Sequence, residues 1–300
     1  MPLYINTLRW SSSLKKFLLK VKKAVLFSLA SLILPGNVFA SKIPNNTPGL
    51  STIKNFLATA MQPVGETLYI WGGGWNDEDT AASETARHIG VWPQWKEFFS
   101  SQDSSYDFCD YAISKDGEAR TPIPAYLPLG LDCSGYRGWL LYNVFHNKDM
   151  EGVGYVFPHA GRIANFVDKD WGVIIKPEDI QCFKAGDIMD KSGHVYMVVG
   201  PCSDRSVVFV HSSPPGVHIC GTVTPDGNKQ SEAVALAESY MKRYYPEYDE
   251  KFSEYGYVRD SDYLTKYTQL RWNTSGDMKD PDGYAEMTAE QVLKNLFDEE

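Results

Sequence analysis

The fold is decided by the stretch LDCSGYRGWLLYNVF at 131–145 and by three later runs, HVYMVVG at 194–200, SVVFVH at 206–211 and GVHIC at 216–220. In the first stretch, apolar side chains recur at the spacing of one helix face, which predicts an amphipathic helix. The later runs are rich in β-branched residues and are separated by glycine, proline and serine, a pattern typical of an antiparallel meander. A helix that leads into such a sheet favours an α+β domain.

Other elements are predicted on both sides of this block. They are helices at 51–61, 160–169, 231–246 and 287–297 and a final strand at 264–272. The last helix opens with Thr288 and Gln291 in a capping-box arrangement. Residues 75–130 combine tryptophans, acidic residues and turn formers, and we expect them to form an insertion with one or two short helices near 80–100.

The first 40 residues have the features of an export signal. They carry six basic side chains and no acidic ones, and the apolar run AVLFSLASLIL at 24–34 precedes Val38-Phe39-Ala40. A basic flank, a short apolar run and a small residue before the cleavage point are typical of a secretory signal peptide. We therefore predict cleavage after residue 40, a linker at 41–50, and a secreted mature protein without a stable membrane span. An uncleaved anchor is the alternative interpretation.

The charge of the chain argues against one class of partner. The formal net charge is −9, although the first 40 residues contribute only basic side chains. The remaining chain is therefore more acidic than the whole. Proteins that bind nucleic acids neutralise phosphates with basic side chains, so we expect no nucleic-acid partner.

The chain contains five cysteines, an odd number. In an exported protein, at least one thiol then stays unpaired within the monomer. Beside Cys133, the four others are Cys109, Cys182, Cys202 and Cys220. These four allow two disulfides in three different connectivities, or none, and the sequence does not choose among them.

Cys133 has the sequence context of a nucleophile. Asp132 is a good N-cap residue, which makes Cys133 the first residue of the predicted helix. The helix N-terminus carries partial positive charge and favours thiolate over thiol, and its free N–H groups are suited to bind an oxyanion. The alternative interpretation is a buried structural cysteine beside a polar cap.

Two histidines are candidates for the base and its partner. His194 begins one predicted strand and His211 ends the next. In a hairpin centred on Cys202-Ser203, these residues face each other with Cβ atoms about 4.5–5.5 Å apart. His211 would then orient the His194 ring while His194 deprotonates Cys133, which is the nucleophile, base and orienter pattern of thiol catalysis.

Four blocks of the sequence, in the same order, resemble the motifs of the NlpC-type peptidoglycan endopeptidases. The family motifs are Gly-x-x-Tyr-x-Trp-Gly-Gly, Asp-Cys-Ser-Gly, Gly-Asp-hydrophobic before His-Val, and His-small-small before Gly-Val. The matching residues are 67–73, Asp132-Cys133-Ser134-Gly135, Gly186-Asp187-Ile188 with His194-Val195, and His211-Ser212-Ser213 with Gly216-Val217. Together, the matched segments cover about half of the mature chain, and their order makes the resemblance specific.

The resemblance implies a fold, a site and a substrate. The fold is a circularly permuted papain-like fold, with N-terminal helices packed on an antiparallel sheet. Cys133 is the implied nucleophile, with its N–H in the oxyanion hole, His194 the base and His211 the third, polar member. The implied substrate-binding residues are Tyr69, Asp132 and Ser134. The implied partner is a peptidoglycan stem peptide, cut at the bond from γ-D-glutamyl to a diamino acid without a cofactor, by a secreted or wall-associated enzyme.

The sequence departs from the family pattern in three places. Insertions are expected at about 75–130 and 222–262 within a catalytic domain at 51–275, and a tail with a short helix follows at 276–300. Tyr196 stands where a small residue is common after His-Val. These departures affect the expected substrate and pocket shape more than the expected reaction. The alternatives are an amidase or acyltransferase with the same triad, and an inactive wall-binding protein.

The remaining histidines do not suggest a metal site. They are His88, His146, His159 and His218. Their spacing is not that of metal ligands in known zinc motifs. We predict that all four are structural or surface residues and that the protein binds no metal.

Overall fold

The computed structural model describes residues 43–74, 83–111, 128–146 and 166–299. The predicted signal peptide lies outside these residues. Ser41–Glu300 forms one compact unit that holds every element named below. Its helices and antiparallel-rich sheet confirm the predicted α+β class.

The described helices and strands follow the chain as two sets. The helices are α1 (Ile53–Ala60), α2 (Pro93–Ser101), α3 (Cys133–Phe145), α4 (Glu232–Tyr244), α5 (Pro246–Phe252), α6 (Asp262–Thr265) and α7 (Ala289–Leu296). The strands are β1 (Leu68–Tyr69), β2 (Gly130–Leu131), β3 (Gly172–Ile175), β4 (Ile188–Lys191), β5 (His194–Pro201), β6 (Val207–Ser213), β7 (Gly216–Thr222), β8 (Val258–Arg259) and β9 (Thr268–Trp272). The described strands form one sheet in the order β2-β1-β7-β6-β5-β4-β9-β3, with β8 on β7. All pairs are antiparallel except β1–β2 and β7–β8.

Most predicted elements are present with small changes at their ends. Helix α3 has the predicted bounds, and α7 has the predicted capping box between Thr288 and Gln291. The helix expected at 231–246 ends at Tyr244, and Pro246 begins a second helix, because proline fits the first turn of a helix but not its interior. The strand expected at 264–272 is shorter, since α6 occupies its first residues.

The central strands bury side chains on both faces. On β5, Val195 and Met197 belong to the main core under the helices, whereas Tyr196 and Val198 belong to a second cluster on the opposite face. This alternation follows from the period of two in a strand. It places His194, by its position in the alternation, on the face of the second cluster.

The segment predicted as a C-terminal tail packs into the same core as the rest of the unit. Thr52 bridges to Lys279, and Val292 and Leu293 of α7 are fully buried in the main core. Contacts of α7 reach β5, the strand that begins with His194. Among the described helices, none has both the length and the apolarity needed to cross a membrane.

Candidate active site

The start of α3 is held by the side chain of Asp132. Its Oδ1 accepts hydrogen bonds from the Gly135 backbone N–H at 2.6 Å and from the Ser134 hydroxyl at 2.9 Å, which confirms the predicted N-cap. Its Oδ2 accepts from the Gly72 N–H at 3.2 Å. Asp132 and Ser134, which the family resemblance assigns to substrate binding, therefore join the helix to the glycine turn after β1.

The glycines of the two motifs allow this turn and α3 to approach closely. The Gly73 carbonyl accepts a hydrogen bond from Asp132 N at 3.0 Å. A Cβ atom on Gly135 would lie 2.0 Å from the Gly73 oxygen, and a Cβ on Gly73 would lie 2.4 Å from the Gly130 oxygen. No side chain fits at these distances, so both positions require glycine.

The Cys133 thiol contacts the backbone on both sides of His194. Its Sγ lies 3.9 Å from the carbonyl oxygen of Gly193, and the N–H of Val195 donates to the sulfur. Gly193 has φ of +88° in the turn between β4 and β5, a conformation that glycine adopts without strain. The predicted nucleophile thus lies against the backbone on either side of the predicted base, where β5 begins.

The free thiol is not activated in the way that the sequence predicts. Burial and then the neighbouring Asp132 carboxylate raise the pKa of Cys133 to about 12, although the Val195 N–H and Arg137 act in the opposite direction. Desolvation and a nearby negative charge thus outweigh the helix N-terminus. The helix N-terminus alone therefore does not make Cys133 a thiolate in the free protein.

His194 and His211 are hydrogen-bonded, although not in the predicted register. His194 Nε2 lies 2.9 Å from His211 Nδ1. Met197 pairs with Val210, two residues from the predicted partner Val208, so the two histidines are diagonal rather than directly opposite. A shift of two keeps both side chains on the same face of the sheet. The expected contact is therefore present despite the wrong register.

A third histidine and an arginine extend this pair. His218 lies directly across β6–β7 from His211, and their Nε2 atoms are 3.4 Å apart. Arg259 of β8 donates to His218 Nε2 at 2.9 Å, and His218 Nδ1 lies 2.8 Å from the carbonyl oxygen of Gly216. Sequence reasoning assigned His218 no part in the site and did not consider Arg259. The Ser-Pro-Pro-Gly turn before β7 would have predicted the His211–His218 pair.

His194, His211 and His218 form a row of hydrogen-bonded rings, the histidine row, and all three are neutral at ordinary pH. Burial and the positive charge of Arg259 lower the pKa of His194 and that of His218 to about 3. Burial, then His218 and Arg259, lower the pKa of His211 well below its usual value. A neutral imidazole has one N–H and one lone pair, so the hydrogen bonds of the row decide which nitrogen is which.

Tyrosines cover the histidines on the second face of the sheet. The Tyr263 and Tyr267 rings lie 5.8 Å and 6.3 Å from the His194 ring. The Tyr196 hydroxyl donates to the Tyr263 carbonyl, and Lys191 Nζ lies 4.6 Å from the centre of the Tyr267 ring. Tyr196, the departure from the family pattern, thus supports the segment that shields the base.

Tyr69 lies beside the nucleophile and is held by the first insertion. Burial, then the charges of Asp132 and Cys133, raise the pKa of the Tyr69 hydroxyl. The Tyr106 hydroxyl donates to the Tyr69 carbonyl at 2.6 Å, and the Phe108 ring packs edge-on at 5.3 Å. The part of the insertion at 83–111 therefore borders the site.

A buried ion pair anchors α3 to the sheet one turn after Cys133. Arg137 donates to Asp190 of β4 at 2.6 Å, and the two side chains are 1% and 2% exposed. Sequence reasoning did not identify this pair, because neither residue belongs to a motif block. It fixes the helix that begins with Cys133 against the hairpin that contains His194.

One cluster of buried side chains has metal-ligating atoms. His211, His218 and Cys220 each offer such an atom within 4.8 Å of the others. The Arg259 guanidinium already donates to His218 Nε2, and burial raises the pKa of the Cys220 thiol to about 11. A fixed cation and a neutral thiol make this cluster a poor cation site.

The other predicted residues lie as follows. His88 packs edge-on against Trp92, and His146 is buried and stacked on Tyr142, in line with structural roles. His159 lies outside the described residues. The five cysteines are all described, and each is a free thiol.

Comparisons with protein-family models, with curated proteins and with solved structures give no match. The chemistry of the site is therefore inferred from its own residues. Those residues are a thiol in the first turn of a helix, and a histidine at the adjoining strand start that is bonded to a second histidine. This arrangement brings a candidate nucleophile against the backbone on either side of a candidate base, and that base is hydrogen-bonded to a candidate orienting group.

Proposed function

We propose that the chain is an exported cysteine hydrolase of the NlpC type that cleaves peptide bonds in peptidoglycan stem peptides. The observation that carries the proposal is the contact of Cys133 Sγ with the residues on either side of His194, together with the His194–His211 hydrogen bond. A thiol nucleophile with an oriented imidazole is the site expected for acyl transfer through a thioester.

In the proposed first half-reaction, His194 removes the Cys133 proton as Sγ attacks the carbonyl carbon of the scissile amide. Because both groups are neutral at rest, the proton moves during the attack rather than before it. The carbonyl electron pair moves to oxygen, where the Cys133 backbone N–H donates to it. Collapse returns the proton to the leaving amine and leaves an acyl-thioester on Cys133.

In the second half-reaction, water attacks the thioester carbonyl. His194 takes a proton from that water and then returns it to the departing Cys133 sulfur. His211 keeps the imidazole in one orientation through both steps. The products are a free carboxylate and the restored thiol. An amine in place of water would give acyl transfer, which remains the alternative reaction of the same site.

The proposed substrate and fold rest on the sequence resemblance. The permuted papain-like arrangement would place the nucleophile on α3 and the two histidines on β5 and β6, which fits their positions here. A stem peptide with a γ-D-glutamyl bond is the implied substrate. The predicted signal peptide supports an exported protein, and we propose that the reaction takes place outside the cell, at the wall.

The proposal is tested by digesting purified peptidoglycan and a synthetic γ-D-glutamyl-diamino acid stem peptide, with fragments identified by mass. We expect cleavage at the γ-D-glutamyl bond, and loss of at least about 10³-fold in rate for Cys133→Ala. Cys182→Ala, which removes an exposed thiol, is the matched control and should retain full activity.

Three outcomes would count against the proposal. Near wild-type digestion by Cys133→Ala would exclude this thiol as the nucleophile. A product that carries an added amine, without hydrolysis, would favour the acyltransferase. No product from either substrate, with a Cys133 that resists iodoacetamide under native conditions, would favour the inactive wall-binding protein.

A further inference from the structure

His218, at one end of the histidine row, determines the tautomer of His194 at the other end. A carbonyl oxygen only accepts hydrogen bonds, so His218 Nδ1, 2.8 Å from the Gly216 oxygen, carries the hydrogen. A guanidinium only donates, so His218 Nε2, 2.9 Å from the Arg259 nitrogen, carries the lone pair. His218 is therefore held as the neutral Nδ1–H tautomer from both sides.

The same reasoning passes along the row. His211 Nε2 lies 3.4 Å from His218 Nε2, whose lone pair also accepts from Arg259. Two lone pairs would repel each other at this distance, so His211 Nε2 carries the hydrogen and leaves His211 Nδ1 as the acceptor. His194 Nε2, 2.9 Å from His211 Nδ1, must then donate. In a neutral His194, the remaining nitrogen, Nδ1, keeps its lone pair. That is the nitrogen able to accept the proton of Cys133.

We propose that Arg259 and His218 are positioning residues of the active site, which hold His211 and His194 in the tautomers that make His194 a base toward Cys133. This inference rests on the proposed function. Both residues lie outside the motif blocks. Arg259 lies in the insertion at 222–262, so this insertion contributes a residue to the proposed site.

Arg259 adds to burial in excluding the charged form of His218, and its donated hydrogen bond occupies His218 Nε2. If His218 gained a second proton, its Nε2 would donate, and every donor and acceptor of the row would reverse. His194 would then present Nδ1–H to the thiol and could not act as a base. The guanidinium opposes this change through its charge, and in the described part of the chain its hydrogen-bond partners other than His218 are backbone carbonyls and the Tyr263 hydroxyl.

The groups that face the row come from several elements. They are Cys133 of α3, Lys191 of β4, Cys220 of β7, Tyr248 of α5, Tyr263 and Tyr267 around α6, and Tyr257 before β8, whose hydroxyl donates to Asp249. Tyr248 stacks on His218 at 5.7 Å and keeps water from its ring. None of these described groups is a carboxylate, so the charge of Arg259 acts on the histidines without local neutralisation.

The test uses the full chain with ¹⁵N-labelled histidine and measures the alkylation of Cys133 by iodoacetamide, with the exposed Cys182 as an internal reference. In the wild type, we expect the histidine spectra to report Nε2–H for His194 and His211 and Nδ1–H for His218. In Arg259→Met, we expect alkylation of Cys133 to fall about tenfold at pH 5.5 and to stay within about twofold at pH 8.

The pH dependence separates positioning from simple structural damage, which would lower the rate at both pH values. Arg259→Lys keeps a cationic donor and should restore most of the rate at pH 5.5. Arg243→Met, which removes an exposed arginine of α4, is the matched control and should leave the profile unchanged.

Two results would overturn the inference. One is a wild-type spectrum with His194 as the Nδ1–H tautomer. The other is an Arg259→Met protein whose alkylation profile follows that of the wild type. Neither measurement needs a substrate, so failure to digest peptidoglycan would reject the proposed function and leave this test intact. Conversely, digestion by the wild type together with an unchanged Arg259→Met profile would reject only the positioning role.

Discussion

The site has two sides: the nucleophile side is helix α3, which begins with Cys133, and the base side is the histidine row on β5 to β7 with the neighbouring β8. Each side contains an arginine, and the two arginines have different partners. Arg137, on α3, is fully buried and is neutralised by Asp190 at 2.6 Å. Arg259, on β8, is partly buried and donates to backbone carbonyls and to His218. Burial and, after it, the charge of Arg259 lower the pKa of His194, His211 and His218, whereas Arg137 makes only a minor contribution to the pKa of Cys133.

The two arginines therefore have different effects: one stabilises the position of a helix, and the other affects the pKa of the histidines. A paired charge has a short-range field and mainly fixes geometry, so Arg137 holds α3 in place. An arginine without a carboxylate partner acts over a longer range, so Arg259 influences three imidazoles. We therefore expect the loss of Arg137 to appear as unfolding, and the loss of Arg259 to appear as altered chemistry.

The largest effect should come from removing the base itself. His194→Ala should lower kcat/KM on the stem peptide by about 10³–10⁴-fold, as much as the loss of Cys133, because no other group takes the thiol proton. His211→Ala should cost less, about 10–10²-fold, because an orienting residue is partly replaceable by water. Equal activity of His211→Ala and the wild type would assign the orienting role to another group.

The second prediction concerns the buried ion pair between Arg137 and Asp190. Arg137→Met should lower the free energy of unfolding by about 3–5 kcal/mol, because it leaves the Asp190 carboxylate buried without its cation. Urea unfolding measures this change. The exposed Arg243→Met should shift stability by less than about 0.5 kcal/mol. A loss below about 1 kcal/mol in Arg137→Met would mean that the pair is not a structural anchor.

Low pH should lower the free energy of unfolding through the buried histidines of the base side. Burial places the folded pKa of His194 and His218 at about 3, below the unfolded value, so the unfolded chain binds more protons between these limits. Stability is then complete above about pH 6.5 and is lost as pH falls toward 3, by up to about 1.4 kcal/mol per pH unit for each histidine.

Urea unfolding between pH 7 and pH 4 measures this slope. His218→Gln removes one titrating group and should reduce the slope by up to about 1.4 kcal/mol per pH unit. If His218→Gln has the slope of the wild type, His218 is not held neutral in the folded protein.

The nucleophile side was predictable from sequence because its contacts are local. Asp132 caps the helix three residues before Gly135, and this rule needs no knowledge of the tertiary structure. The thiol pKa was not predictable in this way, because it depends on burial. The same local rules correctly located α3 and the three central strands.

The base side was predictable only in part, because its contacts join distant residues. The His194–His211 contact was expected, but the register was wrong by two residues, and a bulge between Val198 and Gly200 shifts the pairing further along the hairpin. Arg259 lies 41 residues after His218 on a two-residue strand. So short an element has no periodicity to reveal it, and no rule of spacing links it to His218.

The smallest expected effect concerns the part of the insertion that borders Tyr69. Phe108 packs on Tyr69 there, with the ring centres 5.3 Å apart, and we call this contact the wall. We expect the insertion to limit access of bulky substrate, yet Trp95 and Phe99 of the same insertion are buried in the main core. Deleting the whole insertion would therefore remove core side chains as well as the wall. A single substitution at the wall is the sharper test.

Phe108→Ala should open the cleft beside Tyr69 while the core residues of the insertion stay in place. We expect the rate on intact sacculi, relative to that on the free stem peptide, to rise about two- to fivefold, because only the bulky substrate is restricted by a narrow entrance. Phe98→Ala is the matched control: Phe98 is half-buried in the same insertion and packs on Tyr106 and Tyr111. An equal ratio in both variants would mean that the insertion supports the core and takes no part in choosing the substrate.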